Sequence, residues 1–293
     1  MPQPLIDSFR QYLAIQRQRS DHTIAAYARD VQQFFSIAAV DHPSNVNDTH
    51  VHGYLRALNN QKLSHKSIHR KLSALDQFWA FLMADHHAPS NPWRAIRRPR
   101  IRAKIPTYLE EHAMLELLEN MPKETPIDCR NHAILELLFA TGMRVAELIQ
   151  LPMGAMDWEK NECRVLGKGQ KERIALFGNR AKNAIQHYIH HARQQWCTGI
   201  SNAVFISPKG HPLSARTIQR MVKAANQYHS SSVAITPHAC RHTCASMLLV
   251  HGASIRNIQE LLGHSSIATT QRYAHVPAKQ LTQRFLSAMG DTT

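Results

Sequence analysis

Tyr273 is the side chain of this sequence best suited to act as a nucleophile, because cationic residues recur around it. His238 and Arg241 form a His-x-x-Arg pair upstream, His264 precedes the tyrosine by nine residues, and Arg144 lies much earlier in the chain. Two guanidinium groups can each hold two oxygens of a phosphodiester while negative charge builds up. A tyrosine hydroxyl can then attack phosphorus and form a covalent intermediate. These residue types therefore predict phosphoryl transfer.

Local sequence signals indicate how the chain would present these side chains. Thr236 and Pro237 are typical of the N-cap and first position of a helix, which places His238 in its first turn and Arg241 one turn later. Gly142 follows a predicted helix at 129–141, so Arg144 is expected at a turn. The unpaired amides at the start of the His238 helix also favour a phosphate.

Lys168 lies between two glycines, where two alternating segments, 162–166 and 173–177, predict a β-hairpin. A lysine at the hairpin tip can protonate a departing oxygen as a general acid. The hairpin pattern alone is more typical of a solvated turn lysine. Lys171, in the same turn, is better placed to contact backbone phosphates.

Three other interpretations of these segments compete with phosphoryl transfer. His238, Cys240, His242 and Cys244 alternate in a pattern that suggests zinc, but residues two apart on a helix point to different faces. The stretch 252–271 is similar to a helix-turn-helix, which would suit a DNA-binding protein without catalysis. Tyr273 itself can be a packed core residue, although the polar residues beside it argue against an apolar setting.

Composition points to a polyanionic partner. The 293 residues include 35 Lys+Arg and 21 Asp+Glu, a net charge of +14, with 20 histidines in addition. Such an excess favours nucleic-acid binding through phosphate neutralisation. No run of about 18 apolar residues predicts a membrane span, and the first residues do not resemble a signal peptide. Five scattered cysteines suggest a reducing compartment, so we expect a cytoplasmic, nucleoid-associated protein.

Periodicity predicts a mainly α fold with a small antiparallel β-sheet, divided into two domains. Residues 1–90 are expected to form a helical domain, with helices at 5–19, 22–39, 47–60 and after Ser64. Residues 91–106 combine prolines with many arginines and predict a basic linker. Residues 107–293 form the second domain, with helices expected at 109–120, 129–141, 180–195, 214–229, 236–251, 255–262, 267–275 and 279–288.

Several basic residues outside the catalytic set are expected to contact DNA. They lie on the polar face of the helix after Ser64, in the linker, and around the predicted hairpin. A charged helix face is often only solvated, so the assignment of the residues on the helix after Ser64 to DNA binding depends on the other motifs. The set comprises Lys66, His69, Arg70, Lys71, Arg97, Arg98, Arg100, Lys171 and Arg173.

The motifs together resemble the tyrosine recombinases, or phage integrase family, and are most similar to its bacterial Xer-like members. The resemblance spans essentially the whole chain. It is carried by the block from Thr236 to Val276 and by two upstream blocks, Thr141–Gly142–Met143–Arg144 and the seven residues from Gly167 to Arg173. By position, the resemblance implies catalytic roles for Arg144, Lys168, His238, Arg241, His264 and Tyr273. Cys240 departs from the family pattern, which usually has leucine there, and a small apolar thiol can pack in its place.

The resemblance also implies a function and partners. It implies a helical DNA core-binding domain followed by a catalytic domain that cuts and rejoins DNA through a 3′-phosphotyrosyl intermediate, without metal, cofactor or ATP. The expected DNA partner is a double-stranded molecule with paired recombinase-binding sites. The expected assembly is a homotetramer, or a heterotetramer with a paralogue, and accessory DNA-bound proteins are further candidate partners. The segment 279–288 is expected to dock on a neighbouring protomer, although its apolar stripe can also cover its own core. A type IB-like topoisomerase, which rejoins the same strand, is the alternative enzyme.

Overall fold

The computed structural model describes residues 2–85, 87–99, 109–167, 172–197, 199 and 201–262. The chain divides into two compact units, Met1–Lys104 and Ile105–Thr293. Helices dominate both units, and the second adds a small antiparallel sheet, as predicted. Within the described residues, no helix combines the length and the apolar character that a membrane crossing needs.

Four α-helices build the N-terminal unit. Their starts follow from capping side chains: Asn47 accepts a hydrogen bond from the backbone of His50, and Ser64 accepts one from Ser67, as expected for N-caps. Ala39 ends the second helix in the left-handed conformation. The helices are α1 (Gln3–Ile15), α2 (Asp21–Ala38), α3 (Asp48–Asn60) and α4 (His65–Ala84), with a 3₁₀ turn at Pro43–Asn45.

Aromatic side chains form the core of this unit. Phe34 lies at its centre and makes edge-to-face contacts with Tyr54, Trp79 and Trp93, at centroid distances of 4.9–5.6 Å. Such contacts add to the free energy gained by burying the rings. The apolar face predicted for α4 is buried, except that Ile68 is only partly covered. The sequence pattern therefore located this core correctly.

A buried ion pair revises one predicted DNA contact. Asp30 is 1% exposed, and its carboxylate accepts hydrogen bonds from the ammonium of Lys71 at 2.9 Å and from the guanidinium of Arg70. Lys71 also donates to Gln33 and is itself buried. Burying a carboxylate is costly unless it is paired, so Lys71 is held inside the unit. Lys71 was expected to face DNA, and its burial removes it from that set.

In the C-terminal unit, α6 (Pro126–Thr141) contacts the helices Asn179–Tyr188 and Pro237–Val250 and is buried on every side between Ala133 and Thr141. Strand β2 lies between β1 and β3, and both pairings are antiparallel. The helices are α5 (Glu111–Asn120), α6 (Pro126–Thr141), α7 (Val145–Gln150), α8 (Asn179–Tyr188), α9 (Gln194–Trp196), α10 (Ala215–Ala224), α11 (Pro237–Val250) and α12 (Ile255–Leu262). The strands are β1 (Met156–Asp157), β2 (Glu162–Leu166) and β3 (Glu172–Leu176).

Local geometry differs from the sequence expectation in a few places. The helix predicted over 180–195 is α8 followed by a π-helical segment, Ile189–Arg193, and the short α9. Two elements were not predicted, namely the two-residue strand β1 and the short helix α7 after Arg144. Both are too short to show a hydrophobic period. The predicted helices at 267–275 and 279–288 lie outside the described residues.

Candidate phosphate-binding site

Arg241 is fixed at the centre of the site by two backbone carbonyls. Its side chain is buried, and its Nη1 and Nη2 donate to the carbonyls of Gly142 and Leu262, both at 2.6 Å. Gly142 caps the end of α6, where the last carbonyls of a helix have no partner within it, and Leu262 is the last described residue of α12. A guanidinium has more N–H donors than these two bonds use, so Arg241 can also bind an anion.

Gly142 brings α6 and α12 close enough for this arrangement. It adopts φ +56°, in the left-handed region, and a β-carbon at this position would lie 2.5 Å from Cδ2 of Leu262. Leu262 is buried, so its side chain has little room to move. The glycine is therefore required both by its backbone conformation and by the close packing.

Replacing Gly142 with alanine is expected to lower the free energy of unfolding by about 1–3 kcal/mol, because the left-handed conformation and the clash both oppose a β-carbon. Chemical denaturation of the purified protein measures this loss. Gly154→Ala is the matched control, since a β-carbon at Gly154 would meet no atom within 4 Å. Equal stabilities for the two variants would contradict this explanation.

Arg144 lies at the N-cap of α7, in the turn that the sequence predicted. Its Nη1 donates to Oε1 of Glu147 at 2.8 Å, and its backbone N–H donates to Oε2 at 2.8 Å. Glu147 is buried, whereas the side chain of Arg144 is 36% exposed. One carboxylate thus orients both the backbone and the side chain of Arg144.

Arg144, Arg173 and Arg241 form an arginine cluster, in which Arg173 supplies the third guanidinium. Its Nη2 donates to Oε2 of Glu147 at 2.6 Å, and its Nη1 donates to the carbonyl of Leu261 at 2.9 Å. Its side chain is only 11% exposed. Arg173 was expected to contact DNA, but these bonds assign it to the framework of the site. A single sequence cannot show that Glu147, 26 residues earlier, is its partner.

The cluster holds excess positive charge. Burial lowers the pKa of Arg241 to about 10, and the charges of Arg144 and Arg173 act in the same direction. At that pKa the guanidinium remains protonated at neutral pH. Burial would raise the pKa of Glu147, but the backbone N–H of Arg144 and the charge of Arg173 outweigh burial and the pKa is lowered. Two of the three guanidiniums share one carboxylate and the third bonds only backbone carbonyls, so the net positive charge suits an anion such as a phosphodiester.

His238 occupies the first turn of α11, where Thr236 caps the helix by accepting from the backbone of Ala239 at 3.0 Å. His238 is exposed, while Arg241 is buried on the same helix.

His242 is also exposed, and Cys240 and Cys244 are buried. The two histidines and two cysteines therefore point to different sides of α11 and do not share one ion. Cys240 packs in the core, where burial raises its pKa to about 12.

The remaining predicted catalytic residues, Lys168, His264 and Tyr273, lie outside the described residues, as do Arg100 and Lys171. The last described helix, α12, ends at Leu262, two residues before His264. Arg241 and Arg173 hold the carbonyls of Leu262 and Leu261. The two arginines therefore fix the point where the chain continues towards the motif that contains His264 and Tyr273.

The predicted DNA-contacting residues of the N-terminal unit differ in their surroundings. Lys66 and Arg97 are exposed, and His69 is half-buried. Arg98 donates to Asp76 at 2.6 Å, and Arg70 donates to Asp30. The charges of Arg70 and Arg98 are thus partly neutralised within the protein, which leaves Lys66 and Arg97 as the stronger sites for phosphate.

A basic stripe on α10 was missed by the sequence analysis. Arg216, Arg220 and Lys223 are exposed along one face, while Ile218 and Val222 are buried on the other. The spacing of i, i+4 and i+7 was visible in the sequence as one face of a helix. The stripe offers three further cations to a polyanion.

Comparison with known proteins supports the same assignment along the whole chain. Residues 107–280 match the phage integrase family, and residues 6–86 match the phage integrase N-terminal SAM-like domain. Tyrosine recombinase XerC of Lacticaseibacillus casei is 33% identical over 288 residues, covering 96% of this chain and 97% of that protein. XerC of Bacillus subtilis is 34% identical, covering 95% and 94%, and XerD of Staphylococcus haemolyticus is 33% identical, covering 96% and 97%.

Solved structures show the same fold. The crystal structure of XerA recombinase is 25% identical and covers 98% of both chains, with a TM-score of 0.51. A lambda integrase dimer bound to a COC′ core site is 18% identical, covers 94% of this chain and 98% of that chain, and has a TM-score of 0.70. With both family models matched and relatives above 30% identity over nearly the full length, this chain belongs to the phage integrase family of tyrosine recombinases.

Proposed function

We propose that this site-specific DNA recombinase holds the scissile phosphate with Arg144 and Arg241 and cleaves the strand with Tyr273. The observation that carries the proposal is a cluster of three arginines: Arg144 and Arg173 both bond the buried carboxylate of Glu147, and the charges of both lower the pKa of Arg241. Arg241 is fixed before any substrate binds, because two backbone carbonyls hold it. A pre-oriented cation stabilises the charge of the transition state without reorganising during the reaction.

The proposed reaction consists of two transesterifications. The hydroxyl of Tyr273 gives its proton to His238, its oxygen attacks phosphorus to form a 3′-phosphotyrosyl bond, and the bond to the 5′-oxygen breaks as Lys168 gives that oxygen a proton. In the second step a 5′-hydroxyl of the partner duplex gives its proton to Lys168 and attacks the phosphotyrosine, and the tyrosine oxygen leaves and regains its proton from His238. His238 and His264 assist proton transfer and charge stabilisation. Each step exchanges one phosphate ester for another, so no ATP is consumed.

We further propose that four protomers act together on two duplexes, as a homotetramer or as a heterotetramer with a paralogue. A lambda integrase tetramer bound to a Holliday junction supports this proposal through its fold, with a TM-score of 0.68. XerH bound to its difH substrate is a second DNA-bound neighbour, with a TM-score of 0.66. In this arrangement the C-terminal segment 279–288 would dock on a neighbouring protomer.

The proposal is tested on the protein's own DNA sites. Footprinting on the host genome identifies the protected sequences, and a nicked duplex with one such site traps the covalent intermediate, since the short strand beyond the cut is lost. We expect a protein–DNA adduct that resists denaturation, and exchange of strands between two intact sites. Binding without any adduct would support a helix-turn-helix protein that does not cleave. Adducts and relaxation of supercoils without exchange would support the topoisomerase alternative.

Replacing Lys168 with alanine is expected to slow cleavage of ordinary DNA by roughly 10²–10⁴-fold, because the leaving oxygen loses its general acid. The same variant should cleave rapidly when the leaving 5′-oxygen is replaced by sulfur, which departs without a proton. Single-turnover cleavage of the two substrates measures the difference. Lys171→Ala is the control and should weaken binding without sulfur-dependent recovery. If sulfur does not rescue Lys168→Ala, the acid is another residue, such as His238.

Replacing Arg220 on the α10 stripe with glutamine is expected to weaken DNA binding and to reduce the slope of log K against log salt by about 1, as for the loss of one phosphate contact. Binding titrations at several salt concentrations measure this slope. Lys160→Gln is the matched control, because Lys160 is exposed but lies 3.5 Å from Asp157. An unchanged slope for Arg220→Gln would place α10 away from the DNA.

A further inference from the structure

Arg173 occupies a position that ordinary strand patterning would give to an apolar residue. In β3, Arg173 is mostly covered and Ala175 is buried, whereas Ile174 between them is 50% exposed. The chain therefore turns an arginine inward and an isoleucine outward. Covering a guanidinium costs free energy unless specific partners compensate for the lost water. The partners of Arg173 are thus the reason for its position.

These partners connect three separate parts of the chain. Arg173 on β3 bonds Glu147 in α7 and the carbonyl of Leu261 at the end of α12. Its Nε is buried without a hydrogen-bond partner among the described residues. An unsatisfied buried donor is itself costly, so the two bonds that do form must hold the guanidinium firmly.

Glu147 links Arg173 to Arg144, because it bonds both side chains. The Oε2 atom accepts from Arg173 and from the backbone N–H of Arg144, while Oε1 accepts from Nη1 of Arg144. Without Arg173, the carboxylate would keep its two bonds to Arg144 but lose its connection to β3. The carboxylate and the Arg144 side chain could then shift together, although Arg144 itself is untouched.

The second bond of Arg173 is to the carbonyl of Leu261 in α12. Leu261 precedes Leu262, whose carbonyl accepts from Arg241. Arg173 and Arg241 thus hold adjacent carbonyls at the end of α12, and Arg173 and Arg144 share one carboxylate. Arg173 is therefore bonded both to the carboxylate that orients Arg144 and to the segment of α12 that Arg241 contacts.

We propose that Arg173 is a positioning residue of the recombinase, which sets the geometry of Arg144 through Glu147 and the end of α12 through Leu261. Arg173 does not bind the phosphate itself, and this role differs from the DNA contact expected from its sequence position. The proposal rests on the proposed function, because it assumes that Arg144 contacts the scissile phosphate.

The test compares Arg173→Gln with Arg164→Gln, which removes an exposed arginine from the adjacent strand β2. Cleavage is measured in a single turnover at saturating protein on the nicked substrate, and half-site binding is measured separately. We expect Arg173→Gln to cleave roughly 10²-fold more slowly, as for a misplaced catalytic group, with binding close to that of Arg164→Gln. Arg173→Lys, which can reach only one of the two acceptors, should be intermediate in rate.

A second readout separates positioning from general stability. In an Arg144→Ala background, adding Arg173→Gln should slow cleavage by clearly less than the roughly 10²-fold expected in the wild-type background, because the route through Glu147 is already lost and only the bond to Leu261 remains. Additive losses, or wild-type cleavage by Arg173→Gln, would overturn the proposal. If Arg173→Gln does not fold, a folded Arg173→Lys with the full wild-type rate overturns it equally. Failure of the wild type to form any adduct would instead reject the proposed function.

Discussion

Arg241→Ala is expected to reduce DNA cleavage by at least roughly 10²–10³-fold, the loss typical for removing one pre-oriented donor to a developing oxyanion. Arg241 donates to two helix-terminal carbonyls and, in the proposed mechanism, to the scissile phosphate. Alanine removes all three interactions. The measurement is single-turnover formation of the covalent adduct at saturating protein, with half-site binding determined in parallel.

The controls separate chemistry from folding. Arg241→Lys keeps the charge but cannot span both carbonyls and a phosphate, so its rate should also fall substantially. Arg130→Gln removes another buried arginine of the same unit, which bonds the carbonyl of Ile206. It should lower stability and leave the rate per folded molecule near that of the wild type. An Arg241→Ala protein that is folded and cleaves at the wild-type rate would show that Arg241 does not stabilise the scissile phosphate.

Tyr273→Phe is expected to abolish the covalent adduct while leaving DNA binding intact, because the substitution removes only the hydroxyl group that attacks phosphorus. Band shifts with the intact site measure binding, and denaturing gels with the nicked substrate measure the adduct. Tyr228→Phe is the matched control, since Tyr228 lies at the end of a 3₁₀ turn after α10 and has no proposed catalytic role. Adduct formation by Tyr273→Phe would mean that another residue is the nucleophile.

Local rules explain why much of the fold could be predicted. Thr236 and Ser64 cap the helices that were expected to begin after them, Asn47 caps the helix expected at 47–60, and Gly142 ends α6 in the left-handed conformation. These signals act over a few residues and are visible in one sequence. The hairpin was predicted for the same reason, since alternation over β2 and β3 is a local pattern.

Long-range pairing explains what the sequence did not reveal. The burial of Lys71 depends on Asp30, which lies 41 residues earlier, and the inward position of Arg173 depends on Glu147 and on Leu261, 88 residues later. No local pattern distinguishes these cations from ones that face DNA. The local motifs therefore did not predict that Arg173 and Lys71 have structural partners.

The most direct test of this account is to identify the residue that carries DNA in the trapped intermediate. The wild-type adduct is formed on the nicked substrate, the DNA is trimmed with nuclease, and the protein is digested with trypsin for mass spectrometry. Trypsin cuts after Arg272 and after Lys279, and Tyr273 is the only hydroxyl-bearing residue between them. We predict that this peptide carries the nucleotide. A nucleotide on any other peptide would contradict the assignment of Tyr273 as the nucleophile.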